Sequence, residues 1–600
     1  MPRLVSTFAL RSMVLLSLIS LGLNPAHAAN RVARTPGQSA PSFQSWMSGV
    51  LPSQPSFAPS SPDNWLGGAG NWSNGADWSA GEPGSGSDVF IDTGNDSVTL
   101  DVSASIDSLT LGGASGTSTL MDTDLVTLTI AGALTINQSG TLTFYDPGGI
   151  SAGGNVMNAG NMTFFHGGLT APNIINSGRI SLDVGNVNAS GTLTNSGTIA
   201  AQDDVNGVGA ATIVNSGTIF IDSIASTGDL INQSGGVVSA RGLNVGGNLI
   251  NEGSIKGYLE RASRFSVAGE LTNGGTIDVE YGSSFSVATA SNTGTVMTGA
   301  QSGSNSISIS GTLTNEVGGV FAIDGMNDVA TIGYVNNAGS ISIANGSTLQ
   351  IVSSHAPTTA LPGFLNSGTV LIASDGTVSS PLTYSQTAGQ TTIDGTLRVS
   401  GHSNVLFSGG AVYGNGGTIE GNTISNAAFN MGDMPNTIGM MAITGNYTQG
   451  ANGSIAFDIA SLTSFDQLNI TGRASLNGTL FVDLLNGYVP QIGNLFDIMN
   501  FSSSSGTFST TVGLPINNQE HFVLEYNSTN LTLDVVAGPD DQPQSGHGSS
   551  YYEPYVSEIT DGADQLDNFS SPGATAPEPG SLVLLASGLL GIAGVGRKRI

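Results

Sequence analysis

The stretch GTLTNSGTIAA, residues 191–201, places Leu193, Asn195, Gly197 and Ile199 at every second position. Alternation with a period of two is the signature of a β-strand with one buried face. The frame returns as Ile174, Asn176, Gly178, Ile180 and as Ile213, Asn215, Gly217, Ile219. It continues as Leu249, Asn251, Gly253, Ile255, as Leu271, Asn273, Gly275, Ile277, as Val335, Asn337, Gly339, Ile341 and as Phe364, Asn366, Gly368, Val370. Looser copies centre on Asn137, Asn158, Asn232, Asn292 and Asn315. Most of the Asn anchors fall roughly 17–23 residues apart, inside the range of solenoid repeats.

A coil of that length cannot bury its apolar face alone, so coils must stack. Stacking sets Leu on Leu, Ile on Ile and Asn on Asn, and aligned Asn amides can hydrogen-bond as a ladder. Asn-x-Gly in mid-frame predicts a turn in which Gly takes positive φ. The expected fold is all-β, a right-handed parallel β-helix (solenoid) of about 20 coils with a C-terminal β cap. An array of β-sandwiches is the alternative.

The rest of the chain divides around this repeat. Residues 29–62 are a flexible Pro/Ser-rich leader. Residues 63–125 hold three of the four Trp, namely Trp65, Trp72 and Trp78, and are expected to cap the first coil rather than to form a ligand platform. Residues 126–380 are the Asn-x-Gly repeats, and 381–537 a changed repeat, with Tyr384-Ser385-Gln386 and Tyr447-Thr448-Gln449 as marks. Residues 538–576 are an acidic spacer without periodicity. The pattern around the three Trp resembles the start of autotransporter-like repeat proteins. The order of units after residue 380 resembles the distal passenger segment of autotransporter-like adhesins, which implies last coils closed by a β-sandwich-like cap. The chain departs from those proteins in having no room for a C-terminal membrane barrel of their kind, so self-secretion is not expected to carry over.

Composition removes several function classes. The 600 residues carry 43 Asp+Glu against 14 Lys+Arg, a formal net charge of −29. Five of those cations, Arg3, Arg11, Arg597, Lys598 and Arg599, sit at the extreme ends. An acidic body without a basic patch repels phosphate backbones, so no nucleic-acid partner is expected. There is no Cys, hence no disulfide, thiol catalysis or Cys-ligated zinc.

The two ends read as transport signals. Residues 1–28 have the form of a signal peptide, with Arg3 and Arg11, the apolar run Met13 to Leu23, and cleavage after Ala26-His27-Ala28. Residues 577–600 combine Pro577-Glu578-Pro579, an apolar run from Leu582 to Val595, and Arg597-Lys598-Arg599. The run is long enough for a short membrane helix, and the cations resist crossing. This tail resembles the PEP-CTERM sorting signal of Gram-negative bacteria. The resemblance implies an exosortase-type sorting enzyme as partner, acting at Pro577, Glu578 and Pro579, with Arg597, Lys598 and Arg599 as stop-transfer charges. It also implies an inner-membrane intermediate held through 582–595, final placement at the cell surface or outside, and a link to exopolysaccharide or biofilm matrix.

Chemistry-bearing patterns are sparse. The six His form no metal-binding pair. No nucleophile elbow and no phosphate loop occur. Asp203-Asp204 and Asp433 are the candidates for acidic catalysis of the kind that β-helix lyases and hydrolases perform. Asp92 to Val98 faintly resembles one calcium-binding nonapeptide, without tandem copies. Thr192, Thr194, Thr312 and Thr314 raise ice binding. No cofactor and no metal are expected. The leading expectation is a non-enzymatic structural or adhesin-like surface protein whose partner is extracellular polysaccharide or cell-surface matrix. A polysaccharide-acting enzyme and an ice-binding protein are the alternatives: clustered carboxylates in a groove would mark the first, a regular outward Thr array the second.

Overall fold

A computed structural model describes residues 61–538 apart from 124–125, 146, 148, 202–205, 259–260, 300–302 and 353–361. The fold is an all-β parallel solenoid of about 18 turns. The single helix among the described residues is a 3₁₀ turn at Gly75–Asp77. The expected stack of coils is therefore present, and the sandwich array is not.

One turn shows the plan. Thr192–Asn195 lies on a first face, Thr198–Ala201 on a second and Asn206–Ala210 on a third, and Thr212–Asn215 returns to the first. Each strand pairs in parallel with its counterparts one turn away. On the first face Asn176, Asn195, Asn215, Asn232 and Asn251 are in register. On the second, Ile180, Ile199 and Ile219 align, and on the third Val187, Val208 and Ile224. Leu193, Ile199 and Val208 of this turn point inward and are buried. Three short strands per turn thus close a continuous apolar core that no single turn could cover.

The Asn columns form the ladder. Asn195 Nδ2 donates to Asn215 Oδ1 at 2.8 Å, to Gly197 O at 3.2 Å and to Thr218 O at 3.1 Å. The same side-chain link runs without a break from Asn158 to Asn366, at 2.7–2.8 Å per step. Asn366 then donates to Gln386 Oε1 at 3.2 Å. The ladder buries its amides fully, so each must find partners inside the fold.

Two details of the repeat differ from expectation. Asn137 is not a rung: Ile136 occupies the register position opposite Asn158, and Asn137 points outward, its Nδ2 on Gly112 O at 2.7 Å. The first rung, Asn158, consequently has an Oδ1 that is buried without a partner. The frame glycines also act for a different reason. Gly178, Gly197 and Gly217 have no positive φ. A Cβ on Gly197 would instead lie 2.0 Å from Gly178 O, and one on Gly217 2.1 Å from Gly197 O. The turns approach so closely at this corner that only a residue without a side chain fits.

The ends of the solenoid are closed differently. Ser61–Asn64 pairs in parallel with Ser87–Ile91, so the first strand takes in the final two residues of the stretch read as leader, Ser61 and Pro62. Trp65, Trp72 and Trp78 are buried together, with ring centroids 4.9 Å apart in both edge contacts. Trp78 Nε1 donates to Trp72 O at 2.9 Å and Trp65 Nε1 to Gly68 O at 3.2 Å. At the other end, Glu520–Tyr526 and Asn530–Ala537 form an antiparallel hairpin, and Asn530–Ala537 pairs antiparallel with Leu495–Asn500 of the third face. This hairpin continues the third sheet and buries Phe522, Leu531, Leu533 and Val535. The cap is thus an extension of one sheet, not the sandwich that the adhesin resemblance implied.

Candidate functional site

The residues that the sequence singles out for transport lie outside the described residues: Ala26, Ala28, Pro577, Glu578, Pro579, Arg597, Lys598 and Arg599. The same holds for Asp203 and Asp204. Among the described residues, no helix is long and apolar enough to cross a membrane.

Asp433 is described and exposed, on the corner that follows the second face. It interacts with Asp394, whose Oδ1 accepts from Asn415 N at 2.9 Å. Burial first, and the Asp433 carboxylate beside it, hold the Asp394 carboxyl above its ordinary range. The pair lines neither of the two grooves described below. The stretch from Asp92 to Val98 is a turn closed on itself. Asp96 is buried and accepts from Thr93 Oγ1, from Gly94 N at 3.1 Å and from Ser118 Oγ at 2.8 Å. Those bonds occupy both carboxylate oxygens, and no group of three His, Cys, Asp or Glu among the described residues could hold a metal. The three Trp present no exposed ring, so they cap the core and form no platform.

Sequence reading missed an acidic group near the distal end. Asp458 and Asp483 occupy paired positions on neighbouring strands of the second face. Asp466 is buried; its Oδ1 accepts from Gly439 N at 2.7 Å and its Oδ2 from Asp458 N at 2.8 Å. Burial pushes the Asp466 carboxyl up to about 8. Burial, then the charge of Asp483, pushes Asp458 up to about 7. These carboxyls bind backbone and brace the excursion between Ser454–Ser461 and Gln467–Ile470. No spacing rule could have found them, because the turns here vary in length and the register is set only by the fold.

The outward ranks bear on the two alternatives. On the first face Thr192 is in register with Thr212, but Thr194 lies between Ile175 and Val214, and Thr312 and Thr314 pair with Tyr334 and Asn336, so the candidate threonines form no array. On the second face, Thr198 and Thr218 align, as do Thr276 and Thr295, but Val237, Ser254 and Val320 interrupt the row. The parallel row beside it contains Phe220, Lys256 and Asp278. A groove of about 600 Å³ lies on the third face, lined by Thr129, Ser151, Thr170, Asn186 and Asn188 over a floor of glycine backbone. A second groove of about 370 Å³ adjoins it and shares Asn186 and Asn188.

Comparison with known families matches residues 575–599 to the PEP-CTERM protein-sorting motif. No curated protein matches the chain. The motif is the recognition signal for exosortase, and it marks proteins exported and sorted to the cell surface in Gram-negative bacteria.

Proposed function

We propose that this PEP-CTERM-bearing β-solenoid is a non-enzymatic structural or adhesin-like surface protein that associates with extracellular polysaccharide or cell-surface matrix. The observation that carries the proposal is the sorting motif at 575–599, which fixes export and exosortase as the route. A long parallel solenoid suits the destination. Its stability comes from repetition of one turn, and each face is a continuous parallel sheet with one side turned outward. Asp433, the acidic candidate among the described residues, lines neither groove, and the outward Thr row is broken and flanked by charge. Those observations favour the structural proposal over a polysaccharide-acting enzyme or an ice binder.

The proposed route runs through a membrane intermediate. The chain enters export through residues 1–28 and halts at Leu582 to Val595, a run of marginal length for a bilayer roughly 30 Å thick. Arg597, Lys598 and Arg599 resist crossing because a charge is costly at the bilayer centre. Pro577-Glu578-Pro579 then waits at the outer surface, where proline keeps the segment extended and open to the sorting enzyme. Replacing Pro577, Glu578 and Pro579 together by Ala should leave a full-length precursor in the inner-membrane fraction. The unaltered chain should co-fractionate with extracellular polysaccharide. Normal surface delivery of the triple variant would overturn the route, and recovery of the unaltered chain wholly apart from the matrix would overturn the association.

A further inference from the structure

We infer that the third-face groove between residues 127 and 209 is a binding subsite for a neutral, extended polysaccharide chain. The inference rests on the matrix association proposed above and gives it an address.

Four outward positions on successive turns form one straight rank. Thr129 pairs in register with Ser151, Ser151 with Thr170, and Thr170 with Asn188. Each supplies a hydroxyl or amide, one per turn, about 4.8 Å from the next. That spacing is close to the advance of one pyranose in an extended β-linked chain. A sugar chain lying along the stack would therefore meet one polar group per residue. Asn186 stands in the neighbouring rank, beside Gly168 and Gly207.

The floor is bare backbone. A Cβ on Gly168 would lie 2.1 Å from Asn186 O, and one on Gly185 would lie 1.8 Å from Gly167 O. No side chain can fill this trough, so it stays open where other turns of the same face project larger groups. The opposite treatment of Asn in the two settings is informative. Inward Asn amides are saturated by ladder and backbone bonds. The Asn186 and Asn188 amides are exposed and bond to nothing among the described residues. They are free to exchange hydrogen bonds with a ligand.

Charge selects the ligand class. In a chain of formal net charge −29, none of the described residues lining the larger groove is ionisable. The adjoining groove reaches Asp222, which Arg241 engages at 3.6 Å. An acidic body repels a polyanion, and a groove without charge offers it no compensation. A neutral glycan incurs neither penalty.

The corner leading into the groove carries an aromatic pair. Tyr145 and Phe165 stack with centroids 4.8 Å apart and planes 4° from parallel. Tyr145 is 46% exposed, and Phe165 lies two residues before Gly167 of the floor. His166 Nδ1 and Tyr145 O, 3.1 Å apart, tie the two turns together. An exposed flat ring beside a polar trough suits the C–H face of a pyranose, which has one apolar side and hydroxyls at its edge.

The test is calorimetric titration of the purified full-length chain with cellohexaose, xylohexaose and mannohexaose, and with hexagalacturonate as the anionic counterpart. At least one neutral hexaose should bind, and hexagalacturonate should bind at least tenfold more weakly. Asn186→Ala combined with Asn188→Ala should weaken the neutral ligand at least tenfold, and Tyr145→Ala at least threefold. Thr314→Ala, on the first face, should change nothing. Circular dichroism melts matching the parent show that the groove variants fold. Unchanged affinity in both groove variants, or preference for hexagalacturonate, overturns the subsite. If no hexaose binds while the chain still co-fractionates with extracellular polysaccharide, the subsite falls and the matrix association stands. If it neither binds nor co-fractionates, both fall.

Discussion

The turns from Asn158 to Asn366 and those from Gln386 onward share one backbone path but solve the interior differently. In the first region one buried column is all Asn, and every rung donates to the next at 2.7–2.8 Å. In the second, that column passes from Gln386 to Phe407, Ser425 and Gln449. Gln386 Nε2 turns away to Gly409 O at 2.9 Å, and the side-chain ladder stops. Aromatic rings take over. Phe364 and Tyr384 lie 4.8 Å apart, and Phe407, Phe429 and Tyr447 continue the line at 5.9–6.2 Å. The two carboxyls that burial raises furthest among the described residues, Asp458 and Asp466, both lie here, while Asp278 in the first region is raised to about 6. The first region is thus held by neutral, identical, cooperative bonds; the second is held by individual contacts, some of which titrate.

Substitutions can break this comparison. The largest effect should come from Gly217→Ala. Its Cβ would overlap Gly197 O, so two turns must separate, at a cost of about 4 kcal/mol or more, in the range of exceptional single substitutions. Urea unfolding measures it; a loss below about 1 kcal/mol would mean the corner is looser than the geometry states. Next is Asn215→Leu, which leaves Asn232 Oδ1 without its donor and takes from Asn195 Nδ2 its shortest bond, leaving those to Gly197 O and Thr218 O. The expected cost is about 3 kcal/mol, since each buried unsatisfied group costs about 1–3. Asn158→Leu should cost about half as much, because that rung has one neighbour rather than two. Equal losses at both positions would show that the rungs act independently of their place in the column.

A pH series separates the regions without mutation. Asp466 and Asp458 have folded-state values of about 8 and about 7, against an ordinary Asp value of about 3.9. The fold therefore favours their neutral forms. That stability is complete below about pH 4 and is lost as pH rises through about 7 to 8. Between pH 5 and pH 9 the distal turns should become more open to proteolysis, while the Asn turns, whose rungs do not titrate, should change less, with Asp278, which burial raises to about 6, responding at the lower end of that range. Asp483→Asn removes the charge that helps raise Asp458 and should shift the distal transition to lower pH. Proteolysis that grows equally in both regions would contradict the contrast. The smallest effect belongs to Tyr384→Phe. It removes the buried bond between the Tyr384 hydroxyl and Thr391 Oγ1 at 2.6 Å and should cost about 1 kcal/mol. Thr391 Oγ1 keeps its bond to Gln386 Oε1, which limits the loss.

The contrast also explains what the sequence disclosed. Leu193, Asn195, Gly197 and Ile199 announced strand, ladder and corner because each recurs at nearly fixed spacing, and repetition is visible without coordinates. Asn137 misled for the same reason: its neighbour Ile136 holds the inward position, and one residue of slip in a strand reverses the face. The glycines were located correctly but for the wrong cause, since close approach between turns leaves no mark distinguishable from a turn requiring positive φ. The groove was hidden because Asn186 and Asn188 look like rungs in composition. Only the register assigns them to the outside. Asp458, Asp466 and Asp483 were illegible because their meeting depends on turns of unequal length.

The transport account depends on the 25 residues matched to the sorting motif, 575–599, and their fate in the cell decides it. Mass spectrometry of the C-terminal peptide from the surface fraction tests it most directly. The account predicts a mature chain that ends near Pro579 and lacks Leu582 to Val595. A surface form that retains Arg597, Lys598, Arg599 and Ile600 would contradict it and make the tail a plain anchor.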